Sequence, residues 1–129
     1  NEFSLPVIFS MHPRTAKMLQ TFNFSVNGIQ VVKPLGYLEF LQLESNARLV
    51  LTDSGGLQEE ACILGVPCVT LRDNTERPET LEVGANVLAG TDPDKMVDCV
   101  KKSLDSSLNW RNPFGDGCAG QRIIRTLEL

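Results

Sequence analysis

The chain has 129 residues, enough for one domain with a real core. Its formal net charge of −4, from 12 basic against 16 acidic residues, argues against nucleic acid or an anionic membrane as the main partner, because the net field attracts neither. No apolar run approaches the roughly 20 residues that span a bilayer and no charged-then-apolar leader stands at the start, so a soluble, cytoplasmic protein is expected.

Apolar runs of strand length alternate with helical patterns along the chain, the arrangement of an α/β domain with a parallel sheet. Pro6 to Met11 predicts a first strand and Arg14 to Thr21 a short helix. Gln30-Val31-Val32 predicts a second strand, ended by Lys33-Pro34, and Tyr37 to Glu44 a helix with Leu38, Leu41 and Phe40 directed inward. Arg48 to Thr52 is the third predicted strand. Leu57 to Leu64 reads as an amphipathic helix stopped by Gly65 and Pro67, Pro67 to Leu71 as the fourth strand and Ala85 to Ala89 as a short fifth. Thr91-Asp92-Pro93-Asp94 is a helix-start signal, and the helix it opens carries Met96, Val97, Val100 and Leu104 on one face. A last helix, Ala119 to Leu127, follows a glycine-rich turn. Four cysteines, Cys62, Cys68, Cys99 and Cys118, show no CxxC spacing and read as structural thiols. With one histidine in the chain a zinc centre has little to draw on, and neither a metal nor a cofactor is expected.

The run Thr52-Asp53-Ser54-Gly55-Gly56-Leu57-Gln58-Glu59-Glu60-Ala61 joins a strand end, a glycine pair and a helix start. Ser54 is a good N-cap, and Gly55 and Gly56 lack a Cβ, so their N–H groups allow an anion to approach at the positive end of the helix dipole. Glu60 follows about one and a half turns on, within reach of sugar hydroxyls beside that anion. Local physics alone fits an ordinary capped turn equally well. Open parallel sheets bind ligands beyond the carboxyl ends of their strands, which puts His12, Pro34-Leu35, Asp53-Ser54 and Arg72 on one edge.

Further motifs accompany this turn: Gly65-Val66-Pro67-Cys68-Val69-Thr70-Leu71-Arg72, Thr75-Glu76-Arg77-Pro78-Glu79, then Gly84, Asn86 and Gly90, and Asn112-Pro113-Phe114-Gly115-Asp116-Gly117. Together they make the chain resemble the C-terminal domain of the UDP-N-acetylglucosamine 2-epimerases, two-domain enzymes of GT-B architecture, from about Val7 to Leu127. The resemblance implies a Rossmann-like parallel sheet with flanking helices, forming a partial C-terminal UDP-binding domain over residues 1–129. The N-terminal domain and the first strand of this domain would be absent, and the opening residue Asn1 fits a fragment of a longer protein. It also implies a homodimeric parent enzyme that interconverts UDP-GlcNAc and UDP-ManNAc by eliminating UDP and adding it back.

Carried over residue by residue, the resemblance makes Ser54, Gly55 and Gly56 the diphosphate seat, Glu60 the ribose ligand and Phe40 the aromatic against uracil. Arg77 becomes a cationic contact near phosphates and sugar, with Thr75 and Glu76 beside it. Arg77 also fits an ion pair on a solvated loop, Glu60 an exposed helix acid, and Arg72 a brace for the loop after the fourth strand. His12 and Arg14 resemble part of a regulatory substrate site of bacterial relatives, while the family's catalytic histidine and proton-handling carboxylates lie upstream. No catalytic residue is therefore assigned here. A closed-up sheet or a dimer is expected to compensate for the missing strand, and Ile123, Ile124 and Leu127 of the last helix are expected to need another surface. A GT-B glycosyltransferase domain and a non-catalytic UDP-GlcNAc-sensing module are the alternatives.

Overall fold

The computed structural model describes residues 3–106 and 109–127. It separates into two compact units, one ending at Phe40 and one beginning at Leu41. The first unit holds β1 (Ile8–Ser10), α1 (Pro13–Thr21), β2 (Gln30–Val32) and the start of α2 (Tyr37–Ser45). β1 and β2 pair in parallel with Ile8 opposite Gln30 and Ser10 opposite Val32. The ladder is continued at its ends by Gln30 N donating to the Val7 carbonyl and Met11 N to that of Val32. Pro6, without an N–H, stands outside the shortened strand. α1 starts at Pro13, whose fixed φ suits a first helical position, and His12 caps it.

The second unit carries β3 (Val50–Thr52), α3 (Gly55–Leu64), β4 (Cys68–Thr70), α4 (Pro78–Glu82), β5 (Asn86–Leu88), α5 (Pro93–Asp105) and α6 (Ala119–Leu127). Its sheet is parallel in the order β3-β4-β5, with Val50 opposite Cys68 and Cys68 opposite Asn86. β4 is buried along its whole length, as a central parallel strand must be. Ala61, Val66 and Cys68 form the core, closed by Ala47, Val50 and Leu64. Gly65 ends α3 in the left-handed region at φ 74°, and the Val66 amide bonds back to the Ala61 carbonyl, so the chain turns directly into β4. α5 begins as the sequence signal predicts, with the Asp92 side chain accepting from Lys95 N at 2.9 Å.

The described strands form two separate parallel ladders, β1-β2 and β3-β4-β5. Two expectations are corrected, and one helix was missed. α3 starts at Gly55, two residues before the predicted Leu57, which makes both glycines part of the first turn. α4 was not predicted, and it is a single turn opened by Pro78. Leu38 points outward at 76% exposure, because the buried position of α2 is Glu44, about 120° around the helix from Leu38. On α6, Ile123, Ile124 and Leu127 are exposed, as the sequence reading expects of a helix in need of another surface.

Candidate functional site

The site begins where β3 ends. Thr52 is buried, and its Oγ1 accepts from the Ser54 amide at 3.0 Å, which bends the backbone sharply after the strand. Ser54 then takes the extended conformation of an N-cap, φ −87° and ψ 128°, but its hydroxyl makes no capping bond. The amides of Gly55, Gly56 and Leu57 occupy the first helical turn, where the α-helix supplies no acceptor. They form no bond to a loop or side-chain acceptor among the described residues. Three N–H groups and a hydroxyl are therefore open at the positive end of α3.

Neither glycine is required by the chain's own packing. Both have negative φ. A Cβ on Gly55 would lie 3.6 Å from Glu76 Oε2 and 3.9 Å from Arg77 Cζ, and one on Gly56 would lie 3.8 Å from Ser54 Oγ, all ordinary contacts. The same distances place the 75–77 loop directly beside the glycine turn.

That loop is held from beneath by a buried polar network. Gln58, fully buried on α3, accepts at Oε1 from the Thr75 hydroxyl and from Asn86 Nδ2 at 3.1 Å. Asn86 Nδ2 also donates to Thr80 Oγ1 at 3.1 Å, and Asn86 Oδ1 accepts from the Thr70 hydroxyl at 2.8 Å. Thr80 Oγ1 donates in turn to the Arg77 carbonyl at 2.7 Å, and Thr75 Oγ1 accepts from Arg77 N at 3.0 Å. Strands β4 and β5 and helices α3 and α4 thus fix the backbone on both sides of Arg77. None of Gln58, Thr70, Thr80 and Asn86 was singled out as functional from the sequence. Gln58 carried a signal, since it shares the inward face of α3 with Ala61 and Cys62 at spacings of three and four.

The charges above this network are paired. Arg72 grips Glu76 with both terminal nitrogens, at 3.1 and 2.8 Å, and also donates to Asn74 Oδ1, so it braces the loop. The guanidinium holds the Glu76 carboxyl below the usual carboxylate range. Arg77 Nε lies 2.5 Å from Glu59 Oε1 and its Nη1 donates to the Glu76 carbonyl. The Nε–H itself is buried and not aimed at any acceptor. Arg77 is therefore held in an ion pair with Glu59 beside the glycine turn. The Thr75 hydroxyl reaches Gln58 of α3, and Glu76 lies beside Gly55.

Glu60 stands one turn below Gly56 on the same side of α3 and is half-buried. It faces Glu44 of α2, a carboxyl 3% exposed with no hydrogen-bond donor on either oxygen. Burial first, then the charge and hydrogen bond of Glu60, push the Glu44 carboxyl up to about 7. Cys62 and Cys68 are buried free thiols, and burial pushes Cys68 up to about 12. Among the described residues no group of three or more His, Cys, Asp or Glu is placed to hold a metal ion.

Phe40, His12 and Arg14 belong to the first unit. Phe40 is half-buried on α2. His12 is exposed and accepts from Arg14 N at 3.1 Å through Nδ1, so the pair forms a helix cap with Nε2 left outward. The 112–117 motif is a self-bonded turn. Asn112 Oδ1 accepts from Phe114 N, its Nδ2 donates to the Gly115 carbonyl, and Asp116 pairs with Arg122 of α6.

A family model described as UDP-N-acetylglucosamine 2-epimerase matches residues 1–128. A UDP-N-acetylglucosamine 2-epimerase of Methanocaldococcus jannaschii is 59% identical over 126 residues, which cover 94% of this chain and 34% of that protein. The protein of the same name from Methanococcus maripaludis is 58% identical over 123 residues, covering 92% of this chain and 34% of its own length. The crystal structure of the Methanocaldococcus jannaschii enzyme in complex with UDP-GlcNAc and UDP matches with a TM-score of 0.90 at 56% identity, over 98% of this chain and 36% of that one. The chain spans about a third of the length of the curated relatives it matches.

Proposed function

Since the chain belongs to the UDP-N-acetylglucosamine 2-epimerase family, we propose that it is the UDP-binding part of an enzyme that interconverts UDP-GlcNAc and UDP-ManNAc. The observation that carries this reading is the open helix entrance. Two adjacent glycines stand in the first helical turn although neither has a positive φ, and a Cβ at either would meet only ordinary contacts. An anionic ligand accounts for both facts. The diphosphate would rest on the Gly55 and Gly56 amides and the Ser54 hydroxyl, with Arg77 exchanging part of its pairing to Glu59 for a phosphate oxygen. Glu60 would accept from the ribose hydroxyls.

In the reaction a base removes the proton on C2 of the sugar, the C1–O bond to UDP breaks, and UDP leaves with the bonding electrons. Addition of UDP back to the resulting 2-acetamidoglucal, with protonation on the other face of C2, completes the inversion. Negative charge grows on the departing diphosphate, and preorganised amides with a guanidinium beside them stabilise that charge. The same proposal carries a homodimeric, cytoplasmic parent enzyme. UDP titration followed by amide NMR tests it: the largest shifts are expected at Ser54 to Glu60 and at Arg77. Shifts scattered away from that turn would refute it.

A further inference from the structure

We propose that Glu44 is a positioning residue for the ribose end of the nucleotide site, its buried carboxyl holding the Glu60 carboxylate in place when protonated and driving it away when ionised. The inference rests on the reading of Glu60 as the ribose acceptor.

Among the described residues Glu44 is the only acidic or basic side chain that is buried. It occupies the inward position of α2, flanked by the half-buried Leu41 and Ala47, where an apolar side chain would pack without cost. Both its oxygens lack a donor. Among the described residues, the charged and titratable groups facing it are Glu60 from α3 and the Cys68 thiol from β4, with no cation among them. A buried carboxyl in such company resolves its position by keeping its proton and donating it to the acceptor at hand, which is Glu60. One Glu60 oxygen is then anchored and the other stays free to accept from a ribose hydroxyl. Once Glu44 ionises, two carboxylates confront each other across a site without a countercharge, and the less buried of them, Glu60, is displaced. Ribose recognition should therefore weaken as pH rises through about 7.

The test compares UDP with 2′,3′-dideoxy-UDP, which keeps the base and diphosphate and lacks the ribose hydroxyls, so the ratio of their dissociation constants reads the ribose contact alone. For the 129-residue chain the ratio is expected to be about thirteenfold or more at pH 5.5, the lower end for one hydrogen bond to a charged acceptor, and to fall to about twofold at pH 8.5. Glu44→Gln, which donates an N–H at every pH, should hold the higher ratio throughout. Glu44→Met should show the lower ratio at both pH values. A ratio flat with pH in the unmodified chain, or a Glu44→Gln profile that falls as the unmodified one does, overturns the inference while leaving the nucleotide site intact. UDP that fails to shift the Ser54 to Gly56 amides at pH 5.5 overturns the site itself and the inference with it. Carbon-13 titration of the side-chain carboxyls gives a ligand-free check: Glu44 should titrate near 7 and move lower in Glu60→Gln. An ordinary carboxylate midpoint for Glu44 would overturn the proposal.

Discussion

Gly55 separates what the fold needs from what a ligand needs. Its φ is negative and a methyl group there would meet Glu76 and Arg77 at ordinary distances, so Gly55→Ala should leave stability unchanged or raise it by about 0.5–1 kcal/mol. The methyl would stand on the face where the open amides point. UDP affinity should fall about tenfold or more, read by calorimetric titration beside a thermal melt. A variant that binds UDP as well as the parent would show that the room at Gly55 serves something else. This residue and its neighbours were legible because strand end, N-cap and glycine pair are local signals. Glu44 was not. On the page it is an acid at the end of an amphipathic helix, and only the packing of α3 against it reveals that it is buried beside another acid.

At the scale of elements, α3 is framed on one side by the core of Ala61, Val66 and Cys68, and on the other by a polar network that ties it to β4, β5 and α4. Asn86 is the hub, with one side chain serving Thr70, Gln58 and Thr80. Asn86→Ala would leave three buried polar groups without this partner and should cost about 2–3 kcal/mol, seen as a lower urea midpoint at unchanged slope. Faster amide exchange at Arg77 should accompany it, because Thr80 and Thr75 hold that residue's backbone from both sides. A midpoint shift worth less than about 0.5 kcal/mol would show that the network only fills space. Strands and long helices were read from periodicity, since β4 has neighbours on both edges and α5 has a proline and an aspartate at its start. α4 escaped because five residues are too few for a period, and its helical turn is set by Pro78 and by Thr80 reaching back to the Arg77 carbonyl. Leu38 was misassigned because α2 carries leucines on more than one face.

For the molecule as a whole, the alternation of strands and helices predicts the α/β class and the parallel ladders correctly, while the division into two sheets depends on edges no periodicity records. Family membership removes the glycosyltransferase alternative. The proposed reaction needs a base within reach of C2, and three of the acids near the nucleotide turn are already committed. Glu76 is clamped by Arg72, Glu59 is paired with Arg77, and Glu60 is engaged with Glu44. The isolated chain should therefore bind UDP and fail to turn over UDP-GlcNAc. In deuterated buffer the C2 proton of the sugar should persist, because only abstraction and return of that proton exchanges it with solvent. Loss of that signal, release of UDP, or formation of UDP-ManNAc by the 129-residue chain would place a working base among these residues and reverse the division of labour argued here.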